Sequence, residues 1–104
     1  MIVSTTQDIP GREITEVLGI ARGNSVRARH AGRDIMAALR NLVGGEIAEY
    51  AKLQAETREM ATRRMIEFAE SSGADAVVNV RYTTSMIASG ASEILAYGTA
   101  VKLS

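Results

Sequence analysis

Cysteine is absent from this chain, and with it every disulfide frame and every thiolate metal site. Tryptophan is absent too, and three Tyr and one Phe bring the aromatic share to only 4%. The core must therefore be assembled from Ala, Val, Ile, Leu and Met, without the large anchors that dominate most cores. So thin a core points to stabilisation by association of subunits. No apolar run approaches the ~20 residues of a membrane-spanning helix, and the N-terminus lacks the basic and apolar regions of a signal peptide. The expected location is the cytoplasm. Net charge is missing as well: 12 basic residues balance 12 acidic ones, which argues against a dedicated nucleic-acid binder. The two signs are unevenly spread, with a basic excess before residue 46 and an acidic excess over 46–72. That polarity suits subunits packing on one another, and suits a solvated helix face equally.

What is present organises itself around one long helical stretch, Glu46 to Ser72. Ile47, Tyr50, Ala51, Ala61, Met65, Phe68 and Ala69 recur on one stripe at 100° per residue, the signature of a half-buried helix. Gly44-Gly45 precedes it, Glu46 and Glu49 sit where the helix dipole favours carboxylates, and Gly73 suits the left-handed position past its end. Gln54 and Arg58 interrupt the stripe, and Arg58 is expected to be buried and paired with a carboxylate such as Asp34 or Asp75, because an unpaired guanidinium is costly to bury. Before this helix, Ile2 to Thr6 reads as a short strand and Asp8-Ile9-Pro10-Gly11 as a type II turn, with Pro and Gly in its central positions. Ile14 to Arg27 reads as a strand bent at Gly19 and Gly23, with Leu18, Ile20 and Val26 on one side. The other side, Val17, Gly19, Ala21 and Gly23, is nearly flat, so another backbone could lie against it. A shorter helix is expected over Gly32 to Val43. After the long helix come strands over Ala76 to Thr83, with Ala76, Val78, Val80 and Tyr82 alternating with Val77, Asn79, Arg81 and Thr83, and over Ile94 to Leu103, joined by a connection over Met86 to Ser92. The last strand has no properly polar face, so its second face is expected to be covered, with a neighbouring subunit as the lid. The order β, α, α, β, β within one domain, residues 1–104, predicts an α+β fold with helices on one face of an antiparallel or mixed sheet.

Ile2-Val3-Ser4-Thr5-Thr6, Pro10-Gly11-Arg12, Ile14, Leu18-Gly19, Arg33-Asp34, Val43-Gly44-Gly45, Tyr50, Arg58 and Gly73-Ala74-Asp75-Ala76-Val77-Val78 together resemble the YbjQ-like family, labelled "putative heavy-metal-binding". The resemblance spans the chain. It implies a dodecin-like β-α-β-β subunit with a curved sheet against one long and one shorter helix, and a ring-shaped homo-oligomer, a pentamer. It implies no established activity and no defined cofactor.

Two constellations carry candidate chemistry. His30 and Asp34, four apart at a helix start, could serve as two ligands of a Zn or Ni site, with others from Glu46, Glu49 or a neighbouring subunit. The plainer reading is a solvated His beside an Asp that favours the helix N-terminus. Arg33, Arg40 and Arg58, with the Tyr50 hydroxyl, could line a site for an anionic ligand; the plainer reading makes Arg58 a structural ion-pair partner. Gly44-Gly45 and Gly73-Ala74 lack the spacing and the preceding strand of phosphate loops, and no nucleophile motif supports a hydrolytic triad. The reading these observations favour is a non-enzymatic cytoplasmic homo-oligomer holding a small ligand or ion at its interfaces. The alternatives are a heavy-metal-binding protein, and an enzyme whose intersubunit site uses Arg58, Tyr50 and Asp34.

Overall fold

A computed structural model describes residues 1–28, 47–88 and 91–104. Four strands and one helix follow in the order β1 (Ile2–Val3), β2 (Ile14–Ala28), α1 (Ile47–Ser71), β3 (Ala76–Ala88) and β4 (Ala91–Leu103). They form the expected α+β architecture: a mixed sheet in the order β1-β3-β4-β2, with α1 across one face. β3 and β4 make an antiparallel hairpin, β2 lies antiparallel along β4, and β1 adds a parallel step to the start of β3. The shorter helix expected over 32–43 lies outside the described residues. The hairpin is longer than the sequence reading allowed. Met86 and Ser92, expected in a connection, are cross-strand partners instead. The pairing runs on past Thr83, where the expected strand ended, through Thr84 and Ser85, a β-branched and a small polar residue that a strand accepts.

Local chemistry fixes the corners. The Arg12 amide donates to the Ile9 carbonyl at 3.1 Å and Gly11 takes φ 81°, the backbone of the expected turn at Pro10. At the C-terminus of α1, Gly73 takes φ 84°; its amide donates to Glu70 and the next amide, from Ala74, to Ala69. This pair of bonds is a Schellman cap, and it satisfies carbonyls the helix cannot. The chain then turns directly into β3, and the Asp75 carboxylate accepts the Leu103 amide at 2.9 Å, tying the helix exit to β4.

The helix lies mainly over β2, less over β4, and hardly touches β3. It can approach β2 closely because of Gly23. A Cβ there would stand 2.2 Å from the Met65 nitrogen and 2.5 Å from the Ala61 oxygen, both helix backbone. Of the flat strand face inferred from the sequence, Ala21 and Gly23 seat α1, whereas Val17 is exposed and nothing lies close over Gly19. Ala61, Met65 and Ala69 are fully buried against Ala21, Val77, Val80, Ile94, Ala96 and Ala100. Phe68, expected on this stripe, is 43% exposed. Its ring stands at the margin of the helix, where Arg22 reaches round the β2 edge to place its guanidinium 5.8 Å from the ring centroid.

Simple alternation fails at two places, and each failure has a backbone cause. Asn79 takes φ 55°, in the left-handed region that Asn tolerates best among residues with a Cβ, and the β3–β4 register shifts there by one residue. Val80 therefore joins Val77 under the helix, whereas alternation had put it with Val78. The register of β2 shifts likewise between Val17 and Gly19, so Leu18 packs toward the helix side while Ile20 stays exposed. On the opposite face a second cluster, Ala76, Val78, Val101 and Leu103, is covered by Ile9 and Ile14 of the same chain. At this end of the sheet the lid comes from the N-terminal segment rather than from a neighbour. Toward the other end Ile20, Val26 and Tyr97 remain exposed.

Replacing Gly23 with Ala must push α1 off the sheet, so Gly23→Ala should cost on the order of 1–3 kcal/mol, the range for overpacking a core. Urea unfolding followed by far-UV circular dichroism measures it; an unchanged midpoint would show that the helix does not rest on this glycine.

Candidate functional site

Of the six residues singled out from the sequence, His30, Arg33, Asp34 and Arg40 lie outside the described residues, and of Tyr50 only the backbone, in α1, is described. Arg58 is described, and it differs from expectation: its side chain is exposed. It stands one position round the helix from the buried row Thr57, Ala61, Met65, Ala69, spaced four apart. Neither does it reach Asp75 within the chain. Thirteen helical residues separate Arg58 from Ser71, a distance of ~20 Å. Arg58 presents its carbonyl to the Thr62 hydroxyl at 2.8 Å, and that hydroxyl also meets the Tyr82 hydroxyl at 2.8 Å. This flank of α1 thus rests on β3 through a polar contact.

The buried polar residue of the helix stripe is Thr57, 1% exposed, which the sequence reading passed over. Its hydroxyl donates to the Leu53 carbonyl at 2.8 Å and accepts from Arg27 Nε at 3.2 Å. The signal was available: Thr57 lies four before Ala61, where the stripe must continue toward Tyr50. Arg27 is half-buried at the end of β2, with Ser25 buried two residues before it. The Nε bond fixes one nitrogen of the Arg27 fork against the helix. Arg27 also opens the basic stretch Arg27, Arg29, His30, Arg33. The described part of the site is therefore a guanidinium held by a buried hydroxyl where β2 ends.

Elsewhere on the helix an open groove of about 380 Å³ is lined by Glu59, Thr62, Arg63, Ile66, Glu67 and Glu70. Its charged side chains are exposed, and it holds no buried polar group that could orient a substrate. Among the described residues no three His, Asp or Glu side chains converge as a metal site requires.

Comparison with known proteins covers the entire chain. Residues 1–104 match the profile of the YbjQ-like family, described as "putative heavy-metal-binding". A UPF0145 protein from Methanosarcina acetivorans is 60% identical over 103 residues, which is 99% of this chain and 97% of that protein. One from Psychromonas ingrahamii is 56% identical, covering 99% and 98%. A crystal structure of a protein of unknown function from Pediococcus pentosaceus, of the DUF74 family, shares the fold with a TM-score of 0.68 at 15% identity, over 100% of this chain and 98% of that one.

Thr57→Val keeps the side-chain shape but leaves Arg27 Nε without its acceptor. It should destabilise the protein by about 1–3 kcal/mol, the cost of an unsatisfied buried polar group, whereas Thr57→Ser, which keeps the hydroxyl, should lose about 1 kcal/mol or less for one methyl. Denaturant unfolding of the three proteins separates the cases; equal losses for Val and Ser would mean that the hydroxyl contributes nothing.

Proposed function

Since the chain belongs to the YbjQ-like, "putative heavy-metal-binding" family, we propose that it is a non-enzymatic cytoplasmic homo-oligomer, ring-shaped and pentameric, whose subunit interfaces hold a small ligand or ion. The observation that carries this reading is the apolar surface a single chain leaves uncovered. Ile20, Val26 and Tyr97 are exposed on the outer face of the sheet, and Met86 and Ile87 are 80% and 57% exposed near the end of the hairpin. Met86 and Ile87, adjacent large apolar residues this exposed, are the part of that surface most in need of a partner. The core supports it: among the described residues Met65, Val77, Val101 and Thr57 are the largest fully buried side chains, and none is aromatic. A core of such residues gains from further burial between subunits. No helix among the described residues is long and apolar enough to cross a membrane.

Charge supports an anionic occupant. Arg27 stands where β2 ends, and Arg33, Arg40, Arg58 and Tyr50 complete the donor set in the sequence. Guanidinium forks recognise carboxylate and phosphate by paired hydrogen bonds, an arrangement a lysine cannot reproduce. Arg58, exposed within one chain, then acts from the helix surface toward a neighbouring copy. The second reading, metal binding, is favoured by the family description and by the four-residue spacing of His30 and Asp34.

Light scattering coupled to size exclusion should return a mass several times the 11.1 kDa of one chain; a monomeric mass across micromolar concentrations would reject the assembly. Calorimetric titration with zinc, nickel and copper at neutral pH should give weak, non-selective binding. Stoichiometric submicromolar binding that disappears in His30→Ala would instead establish the metal reading.

A further inference from the structure

The two sides of the sheet are finished differently. β1 covers only the beginning of β3, pairing Ile2 with Ala76 and Val3 with Val77. The segment after β1 continues this cover for a few residues: the Ser4 amide donates to Val77, and the Asn79 and Val80 amides donate to Thr6 and Ser4. Arg81 ends the covered stretch, its Nη1 donating to the Thr5 carbonyl at 3.0 Å. From Tyr82 to Ala88 β3 is paired with β4 alone, and among the described residues nothing occupies its other side. The other margin of the sheet is β2, which among the described residues pairs with β4 alone. Each margin exposes a row of amides and carbonyls, a template on which another strand can add.

The two free margins match. Tyr82 and Gly23 share the partner Ala96, Thr83 and Asn24 share Leu95, and the correspondence runs on to Met86 and Arg27 through Ser92. The open half of β3 therefore stands level with the outer half of β2, at equal height on opposite sides of the subunit. No charged residue interrupts Tyr82-Thr83-Thr84-Ser85-Met86-Ile87-Ala88, so the usual guard against edge pairing is missing there. Two arginine side chains cross the β2 margin among the described residues: Arg22, which reaches round it to the Phe68 ring, and Arg64, whose Nη1 donates to the Asn24 carbonyl at 2.8 Å. Arg64 is exposed, and an incoming amide can take over that carbonyl.

Resting on the homo-oligomer reading above, we propose that the open half of β3 of one copy adds to the outer half of β2 of the next, joining the sheets by main-chain hydrogen bonds. Pairing β3 with β3 would satisfy one margin and leave both β2 margins open. Pairing β3 with β2 satisfies both with a single, head-to-tail contact, which is the kind that closes into a ring. The offset of α1 fits this arrangement. The helix of each copy lies over its own β2, reaches β3 at Tyr82 through Thr62, and leaves the helix-side face beyond it, at Met86, exposed. The next copy brings its β2, and α1 above it, beside that exposed strip.

Hydrogen exchange with residue resolution, read on the full-length protein at a concentration where its mass has been measured, tests the pairing. In a free edge strand every second amide points outward and exchanges fast. The proposal expects slow exchange at every amide from Tyr82 to Ile87 and from Arg22 to Arg27. Because one of any two neighbouring amides faces outward, Thr84→Pro and Ser85→Pro are compared: the outward one should keep the monomer fold by circular dichroism and lose the assembly. A multi-subunit mass with alternating fast amides in β3 overturns this interface and leaves the oligomer reading standing. Protection in β3 but alternation in β2 overturns the head-to-tail pairing, and a monomeric mass overturns both readings.

Discussion

Everything in this fold is arranged around the seating of helix backbone on the strand at Gly23. A helix normally stands off a sheet by the thickness of two layers of side chains. Here one layer is reduced to a hydrogen atom, and the peptide groups of Ala61 and Met65 sit where a β-carbon would be. This close approach lets alanines do the work usually given to leucine and phenylalanine, because at short range small side chains still reach their neighbours and dispersion falls off steeply with any gap. It also explains why Ala21, Ala61, Ala69, Ala96 and Ala100 can form so much of the core while Phe68, Tyr82 and Tyr97 lie partly outside it.

From that contact the rest follows by geometry. A helix centred near β2 cannot also cover β3, so the sheet is half roofed. The bulges at Asn79 and before Gly19 then rotate selected residues beneath the roof: Val80 and Leu18 turn toward α1, while Val78 and Ile14 serve the opposite cluster. Each bulge adds one residue to one strand and thereby reassigns every residue beyond it to the other face. The sheet can thus feed two hydrophobic clusters from strands that look uniformly apolar.

Much of this was legible in residues whose local chemistry has few solutions. Pro10-Gly11 announced its turn and Gly73 the end of the helix, and the row Ala21, Gly23 announced a surface against which backbone could lie. The face assignments of β3 and β2 were misread because a period of two assumes a regular ladder, and neither Asn79 nor Leu18 advertises an extra residue. Arg58 was misplaced for a related reason. Ala61 and Met65 mark the buried row, but the row continues through Thr57, a residue whose hydroxyl can be satisfied inside, and a shift of one position turns a helical side chain by 100°. The candidate ligand residues His30, Arg33, Asp34 and Arg40 owe their standing to chemical type and spacing, which specify what a site could bind and leave its geometry open.

The strand order has a kinetic meaning. β3 and β4 are neighbours in sequence and can zip from their shared turn, as local hairpins do on a microsecond scale. β2 must find β4 across almost the whole chain: Arg12, just before β2, bonds to the Ser104 carbonyl 92 residues away. Loop closure over such separations costs entropy before any contact compensates for it, and chains dominated by distant pairings fold slowly. Until β2 arrives, the hairpin leaves one side of β4 open to whatever strand reaches it first. When copies are concentrated, a second chain's β2 competes with the chain's own for that place, so a topology that joins first and last strands carries exchange of strands between copies as its characteristic misstep.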